Sequence, residues 1–262
     1  MPTERQPLAV SPTCMTATTH PPLYIGCAGW SLPREQWLRF STEGSHLERY
    51  ASRFAGVEIN SSFYRPHRPA TYARWGASVP NGFRFSVKVP RQITHEQRLE
   101  GCGPLLAAFL DQCNALGDRL GCLLVQLPPS LAFDPSTAGP FFEALRRLYS
   151  GAVVLEPRHP TWLAADALLQ AWQVGWVEAD PAPLGEPAPL GWQGIAYLRL
   201  HGSPKIYYSA YPETVLAALA ERLRNRAVPT WCIFDNTAAG AAVPDALGVV
   251  ERLGLGSPPH AR

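Results

Sequence analysis

Charge is scarce in this sequence. Only 17% of its 262 residues are Asp, Glu, Lys or Arg, and 23 basic side chains nearly cancel 21 acidic ones, leaving a formal net charge of +2. That balance gives no electrostatic footprint for nucleic acid or an anionic membrane surface, so neither partner is expected. No apolar stretch reaches 18 residues, and the first 22 residues lack an apolar core of signal-peptide length. A cytoplasmic location is the default expectation. Rich in Pro and Thr, segment 1–22 is expected to be disordered and the tail 255–262 flexible, with Met15 an alternative start to Met1. Six cysteines (Cys14, Cys27, Cys102, Cys113, Cys122, Cys232) contain no Cys-x-x-Cys pair, and no His-x-x-x-His accompanies them. A zinc site or a thioredoxin motif is therefore not read. Cys27, Cys122 and Cys232 lie in apolar runs, where a thiol behaves as a small hydrophobe.

Hydrophobic residues make up 46% of the chain, enough for one large core. Eight runs read as strands: Leu23 to Ala28, Gly56 to Asn60, Phe83 to Val89, Cys122 to Leu127, Ala152 to Glu156, Gly175 to Asp180, Ile195 to His201 and Thr230 to Asp235. Amphipathic stretches of helical period separate most of them, such as Pro104 to Leu116, Pro140 to Leu148, Trp162 to Trp172, Glu213 to Leu223 and Pro244 to Leu253. Connections of this length suit parallel crossovers. The expectation is an α/β fold, a single (β/α)8 TIM-like barrel over 23–254, with an open doubly wound sheet as the alternative. The nucleotide fingerprint of that alternative is missing, since the first strand runs into Gly26-Cys27-Ala28-Gly29-Trp30, and no cofactor is assigned. Proline is plentiful, 27 residues or about twice the usual share. Pro181, Pro183, Pro187 and Pro189 crowd the sixth crossover, which is expected to be irregular with at most one helical turn.

Barrel strands bury both faces, so their polar residues should gather near the open end of the axis. Parity supports such a gathering. Glu58 and Asn60 alternate with Val57 and Ile59, Ser86 and Lys88 with Phe85 and Val87, and Arg199 and His201 with Leu198 and Leu200. Gln126, Glu156, Arg158 and Asp180 close strands four to six and are expected to converge with them. Buried charge must be paired, so Glu58, Glu156 and Asp180 are set against Lys88, Arg158 and Arg199. A salt-bridge plug that binds nothing is the bland alternative; Glu58, the deepest member, is read as structural.

These residues also fall into motifs. Gly26-Cys27-Ala28-Gly29-Trp30-Ser31, Val57-Glu58-Ile59-Asn60-Ser61-Ser62-Phe63-Tyr64, Phe83-Arg84-Phe85-Ser86-Val87-Lys88 and Ile93-Thr94-His95 resemble the YecE-like family, domain of unknown function number 72. So do Gln126-Leu127-Pro128-Pro129, Glu156-Pro157-Arg158-His159, Leu198-Arg199-Leu200-His201-Gly202 and Phe234-Asp235-Asn236, and the likeness runs from about Tyr24 to Leu253. The resemblance implies a TIM-like barrel and brings no reaction with it. Two places depart from the family pattern: Leu38-Arg39-Phe40-Ser41 replaces a Phe-Tyr-Pro after Trp37, and Asp235 stands where Asn is common.

Glu156 and His201 are the acid/base candidates, with Arg158 or Arg199 stabilising developing negative charge. Alternatively Arg158 merely holds Glu156 and His201 bonds a strand-end backbone. Lys88 is the third catalytic candidate: desolvated, it can form a Schiff base or carry a proton; otherwise it is a cation fixed between Glu58 and Glu156 or bound to an anionic ligand group. Trp30, Asn60, Tyr64, His95, Gln126, Arg158, Asp180, Arg199, Tyr207, Asp235 and Asn236 are the ligand-lining candidates. His95 is followed by Glu96-Gln97-Arg98, which is not the His-Glu-x-x-His metalloprotease helix. Glu156, Asp180, His201 and Asp235 are metal-ligand types, but scattered among cations they assign no metal. The expected function is acid/base catalysis on a small polar ligand, anionic or polyhydroxylated, at the C-terminal ends of the strands. Metal-assisted phosphoester or nucleic-acid hydrolysis, and a non-catalytic ligand-sensing or adaptor barrel, are the alternatives. The oligomeric state is not read.

Overall fold

The eight apolar runs form eight parallel strands in the computed structural model, which describes residues 20–185 and 190–255. They are β1 (Leu23–Cys27), β2 (Gly56–Ile59), β3 (Arg84–Lys88), β4 (Leu120–Gln126), β5 (Ala152–Glu156), β6 (Val174–Asp180), β7 (Ala196–Leu200) and β8 (Thr230–Phe234). Seven helices accompany them among the described residues: α1 (His46–Ala51), α2 (Pro69–Ala77), α3 (Gly103–Cys113), α4 (Pro135–Leu148), α5 (Asp166–Ala171), α6 (Glu213–Arg224) and α7 (Ala242–Arg252). The strand order is β1-β8-β7-β6-β5-β4-β3-β2, and every neighbouring pair is parallel. This is the (β/α)8 TIM-like barrel. Segment 1–19, with Met15 and Cys14, the tail 256–262, and Pro187 and Pro189 of the sixth crossover lie outside the described residues.

The ring closes on a narrow seam. β1 and β2 share one bridge, Ala28 to Glu58, with the Gly29 amide donating to Glu58 O at 2.9 Å. Below it the Tyr50 hydroxyl stands between the strands, accepting from the Cys27 amide (2.7 Å) and donating to Gly56 O (3.0 Å). A Cβ at Gly26 would lie 1.9 Å from Gly56 O and 2.4 Å from the Tyr50 oxygen, so only glycine fits here.

Alternation along the strands produces two apolar layers. Leu124, Val154, Val177, Tyr197, Trp231 and Ile233 fill the barrel interior, while their neighbours Leu123, Val153, Leu155, Leu198 and Cys232 belong to the shell beneath the helices. Each fully buried aliphatic side chain contributes about 1.5–3 kcal/mol by leaving water. Among the described residues five cysteines are buried free thiols.

Helix boundaries differ from expectation where proline misleads. The stretch expected from Pro140 begins at Pro135, because Asp134 caps it by accepting from the Ser136 amide at 2.8 Å; Pro140 falls inside the helix. Ala138, Phe141, Phe142 and Leu145 then present one buried face at i, i+3, i+4 and i+7. The Trp162 to Trp172 stretch divides into a 3-10 turn, Pro160–Ala165, followed by α5. Between β6 and β7 the described residues contain no helix, leaving a cavity of about 550 Å³ on the outer face of those strands, lined by Trp176, Leu184, Leu198, Tyr211 and Leu219. Among the described residues no helix is long and apolar enough to cross a membrane.

Candidate active site at the barrel mouth

Strand register brings the polar residues to one level. Gln126 is registered with Glu156, and Ala179, Arg199 and Ile233 are registered across β6, β7 and β8, so their side chains share the inner face. Just beneath, the Tyr197 hydroxyl donates to Glu58 Oε2 (2.9 Å) and lies 2.8 Å from Ser86 Oγ. This closes the polar layer from below.

Arg199 organises the layer above. Fully buried, its guanidinium bonds Glu58 through Nε to Oε2 (2.9 Å) and Nη2 to Oε1 (2.7 Å). Nη1 reaches Glu156 Oε2 at 2.9 Å, and Nη2 also lies 3.0 Å from Asp235 Oδ2. One cation thus serves three carboxylates, which is how so much charge is tolerated in the core. Arg158 approaches Glu156 Oε1 from the rim through Nε (3.1 Å) and Nη2 (2.9 Å). Burial of Glu156 works against its ionisation, yet Arg199, then His201 and Arg158, hold its carboxyl well below the usual range. Asp235 is held low in the same way, by Arg199 and His201 against its burial.

His201 completes the layer. Nδ1 stands 3.1 Å from Asp235 Oδ2, and Nε2 lies 3.4 Å from Glu156 Oε1. Nε2 is buried and, among the described residues, has no hydrogen-bond partner. Burial opposes the imidazolium, but the contacts with Asp235 and Glu156 carry its pKa above the ordinary histidine value. The Tyr207 ring meets the imidazole edge-on at 5.6 Å.

Lys88 ends β3 and is 5% exposed. Its Nζ lies 4.2 Å above the Phe63 ring, and among the described residues no carboxylate comes within 4 Å. The cation fixed between Glu58 and Glu156 is therefore not Lys88 but Arg199, whose longer, forked head reaches both. Burial, followed by the charge of Arg199, lowers the Lys88 pKa to about 8 despite the nearby carboxylates. Ser62 Oγ, 2.6 Å from Lys88 O and 2.8 Å from Ile59 O, ties the β2 loop to the end of β3 and so seats Phe63.

The remaining candidates divide. Gln126 is buried in the same layer, and Asn60 ends β2 with a buried Oδ1 that has no partner among the described residues. His95 lies in a single π-turn, Gln92–Glu96, bonded at Nδ1 to Thr94 Oγ1 (2.8 Å) and edge-on to Phe63 at 5.0 Å. Tyr64 is 68% exposed on the rim. Four expectations need correction. Asp180 does not converge: it is registered with Leu200, whose side chain faces the shell, and its Oδ1 meets the Tyr211 hydroxyl at 3.1 Å beside the outer cavity. Arg199 has no face left for a ligand. Asn236 is buried, donating to Ser209 O (2.9 Å) and Asp245 Oδ2 (2.7 Å), and so fastens the β7 loop to α7. Trp30 turns away to pack edge-on against Trp75 at 5.0 Å.

Residues that sequence reasoning did not single out support this layer, namely Tyr197 beneath it and Tyr211, whose hydroxyl accepts from the Gly202 amide (2.9 Å) just after His201. Charge is also unevenly spread. The connections after β2, β5 and β7 carry Arg65, Arg68, Arg158 and Lys205 and no acidic residue, whereas those after β1 and β3 balance Arg34, Arg39, Arg91 and Arg98 with Glu35, Glu43, Glu96 and Glu100, and those after β4 and β8 carry Asp134 and Asp235. Among the described residues no set of three or more His, Cys, Asp and Glu is arranged to hold a metal ion.

Comparison with known proteins agrees with this fold. A DUF72 family protein from Thermotoga maritima superposes with a TM-score of 0.73 at 25% identity, covering 89% of this chain and 99% of that one. One from Enterococcus faecalis gives 0.73 at 20% identity, covering 92% and 100%. In sequence, the UPF0759 protein YecE of Escherichia coli is 33% identical over 145 residues, 54% of this chain and 50% of that protein. The UPF0759 protein YunF of Bacillus subtilis is 26% identical over 113 residues, 41% and 40%. The chain thus spans about half the length, or less, of the curated relatives it matches. Residues 24–261 match the family model described as "Protein of unknown function DUF72", and the chain belongs to that family.

Proposed function

We propose that this barrel is an enzyme that carries out acid/base chemistry on a small anionic ligand at its mouth. The observation that carries the reading is the His201 imidazole, oriented through Nδ1 by Asp235 while Nε2, buried and without a hydrogen bond, stays available for a reacting group. A histidine with a raised pKa keeps its proton to higher pH than an ordinary imidazole and suits a general acid. Glu156, held ionised by Arg199 and Arg158, suits the stabilisation of positive charge on His201 or the acceptance of a ligand proton. Rim cations, Arg158 foremost, favour an anionic group on the ligand.

The test begins with a thermal-shift screen of sugar phosphates, nucleotides and carboxylic acids on the full chain, followed by turnover of whatever stabilises it. Turnover that disappears in His201→Asn and Glu156→Gln while binding persists supports the reading. Tight binding with no turnover of any stabilising compound would make the barrel a sensor instead.

A further inference from the structure

Lys88 is chemically conspicuous in a chain that otherwise uses arginine. Of the 23 residues that are Lys or Arg, two are lysines, Lys88 and Lys205. Arginine binds anions at least as well, and only lysine has a neutral form within reach near pH 7. At the mouth the carboxylates that would hold an ammonium are already bonded to Arg199, and Lys88 has none within 4 Å among the described residues. Its stem is buried, its Nζ lies against an aromatic face, and its lowered pKa of about 8 follows from that burial. At pH 7.5 such an amine is neutral roughly 200 times more often than an ordinary lysine. An acid and a base of the same layer, His201 and Glu156, are of the kind that dehydrate an amine adduct.

We infer that Lys88 is a nucleophile that forms an imine with a small aldehyde or ketone bearing an anionic group. The neutral amine attacks the carbonyl carbon, forming the C–N bond as the carbonyl electron pair moves to oxygen, which takes up a proton. The adduct's nitrogen gives one proton to a base to leave the neutral carbinolamine. The carbinolamine hydroxyl is protonated by an acid and departs as water while the nitrogen lone pair forms the C=N bond and the remaining nitrogen proton goes to a base. No redox partner is involved. The inference rests on the mouth being a catalytic site and adds to it a substrate class, carbonyl compounds.

The full chain is incubated with pyruvate or with dihydroxyacetone phosphate and reduced with cyanoborohydride, and its peptides are mapped by mass spectrometry. Lys205 is exposed on the rim and serves as an internal control, because labelling governed by exposure alone would favour it over the buried Lys88. The expected result is the reverse ranking, with Lys88 labelled at least about tenfold faster than Lys205, and the rate rising as pH passes 8. Lys88→Arg should abolish the adduct. The wild-type comparison needs no variant to fold. Absence of an adduct on Lys88 with both compounds, or labelling no faster than at Lys205, overturns the imine. If turnover of another ligand still depends on His201 in that case, only the imine fails; if no ligand turns over, the acid/base reading fails too.

Discussion

His201 Nδ1 lies 3.1 Å from Asp235 Oδ2, and the same carboxylate oxygen is 3.0 Å from Arg199 Nη2. Asp235 therefore couples the titrating imidazole to a permanently charged guanidinium. In Asp235→Asn that coupling goes, and the His201 pKa should fall, measured by NMR of the imidazole nitrogens. The sign also appears in stability. A histidine with a raised folded value contributes stability that is complete below its ordinary value of 6.5 and is lost as pH rises through the folded value. The wild type should lose that increment on the way to alkaline pH, and Asp235→Asn should show a smaller one. A wild-type imidazole titrating below 6.5 would contradict this account.

Removing the hub should weaken a pH dependence. Glu156 and Asp235 have depressed folded values, so their stabilisation is present above their ordinary values of 4.5 and 3.8 and is lost as pH falls through the folded ones. Arg199→Met leaves Glu58 without a cation and Glu156 and Asp235 with only Arg158 and His201, costing about 3–5 kcal/mol at neutral pH. Glu156 and Asp235 then lose the guanidinium that chiefly holds their carboxyls low, so the variant should lose less stability on acidification than the wild type does. Urea unfolding at about pH 3 and at pH 7.5 decides the matter.

At the seam, two substitutions should rank by mechanism. Tyr50→Phe strands the Cys27 amide and the Gly56 carbonyl, a loss of roughly 1–3 kcal/mol. Gly26→Ala places a methyl 1.9 Å from Gly56 O and must push β1 and β2 apart, so its loss should be the larger. Melting temperatures of both variants equal to that of the wild type would show that the seam does not matter.

Anion affinity should follow Arg158. Inorganic phosphate should raise the melting temperature of the wild type, less so in high salt, and Arg158→Ala should weaken that affinity about tenfold, or about 1.4 kcal/mol. No thermal shift with phosphate in the wild type would remove the electrostatic support for an anionic ligand.

The fold was legible because both-face burial writes strands as short, nearly continuous apolar runs, and all eight appear within about two residues of their expected ends. Strand parity likewise located Lys88, Arg199 and His201 on one inner face, and Glu156 joins them from the end of β5. What it could not reveal was who pairs with whom: choosing Arg199 over Lys88 for Glu58 and Glu156 depends on reach across the barrel. Asp180 was misplaced because being last in a strand says nothing of which side it faces, while its register with Leu200 does. The role of Tyr50 had no local signature, since its hydroxyl acts on strands beyond both ends of its own helix.

β1 is registered along its full length with β8, Leu23 opposite Thr230 and Cys27 opposite Phe234, yet is bridged to β2 at one place, Ala28 to Glu58. The first strand thus belongs energetically to the last part of the chain, across on the order of two hundred residues of intervening sequence. During synthesis it has to wait, unpaired along its main edge, until β8 emerges. Transplanting β1 behind α7 in a circular permutant would turn that late, long-range docking into a local one and should speed folding while preserving the mouth.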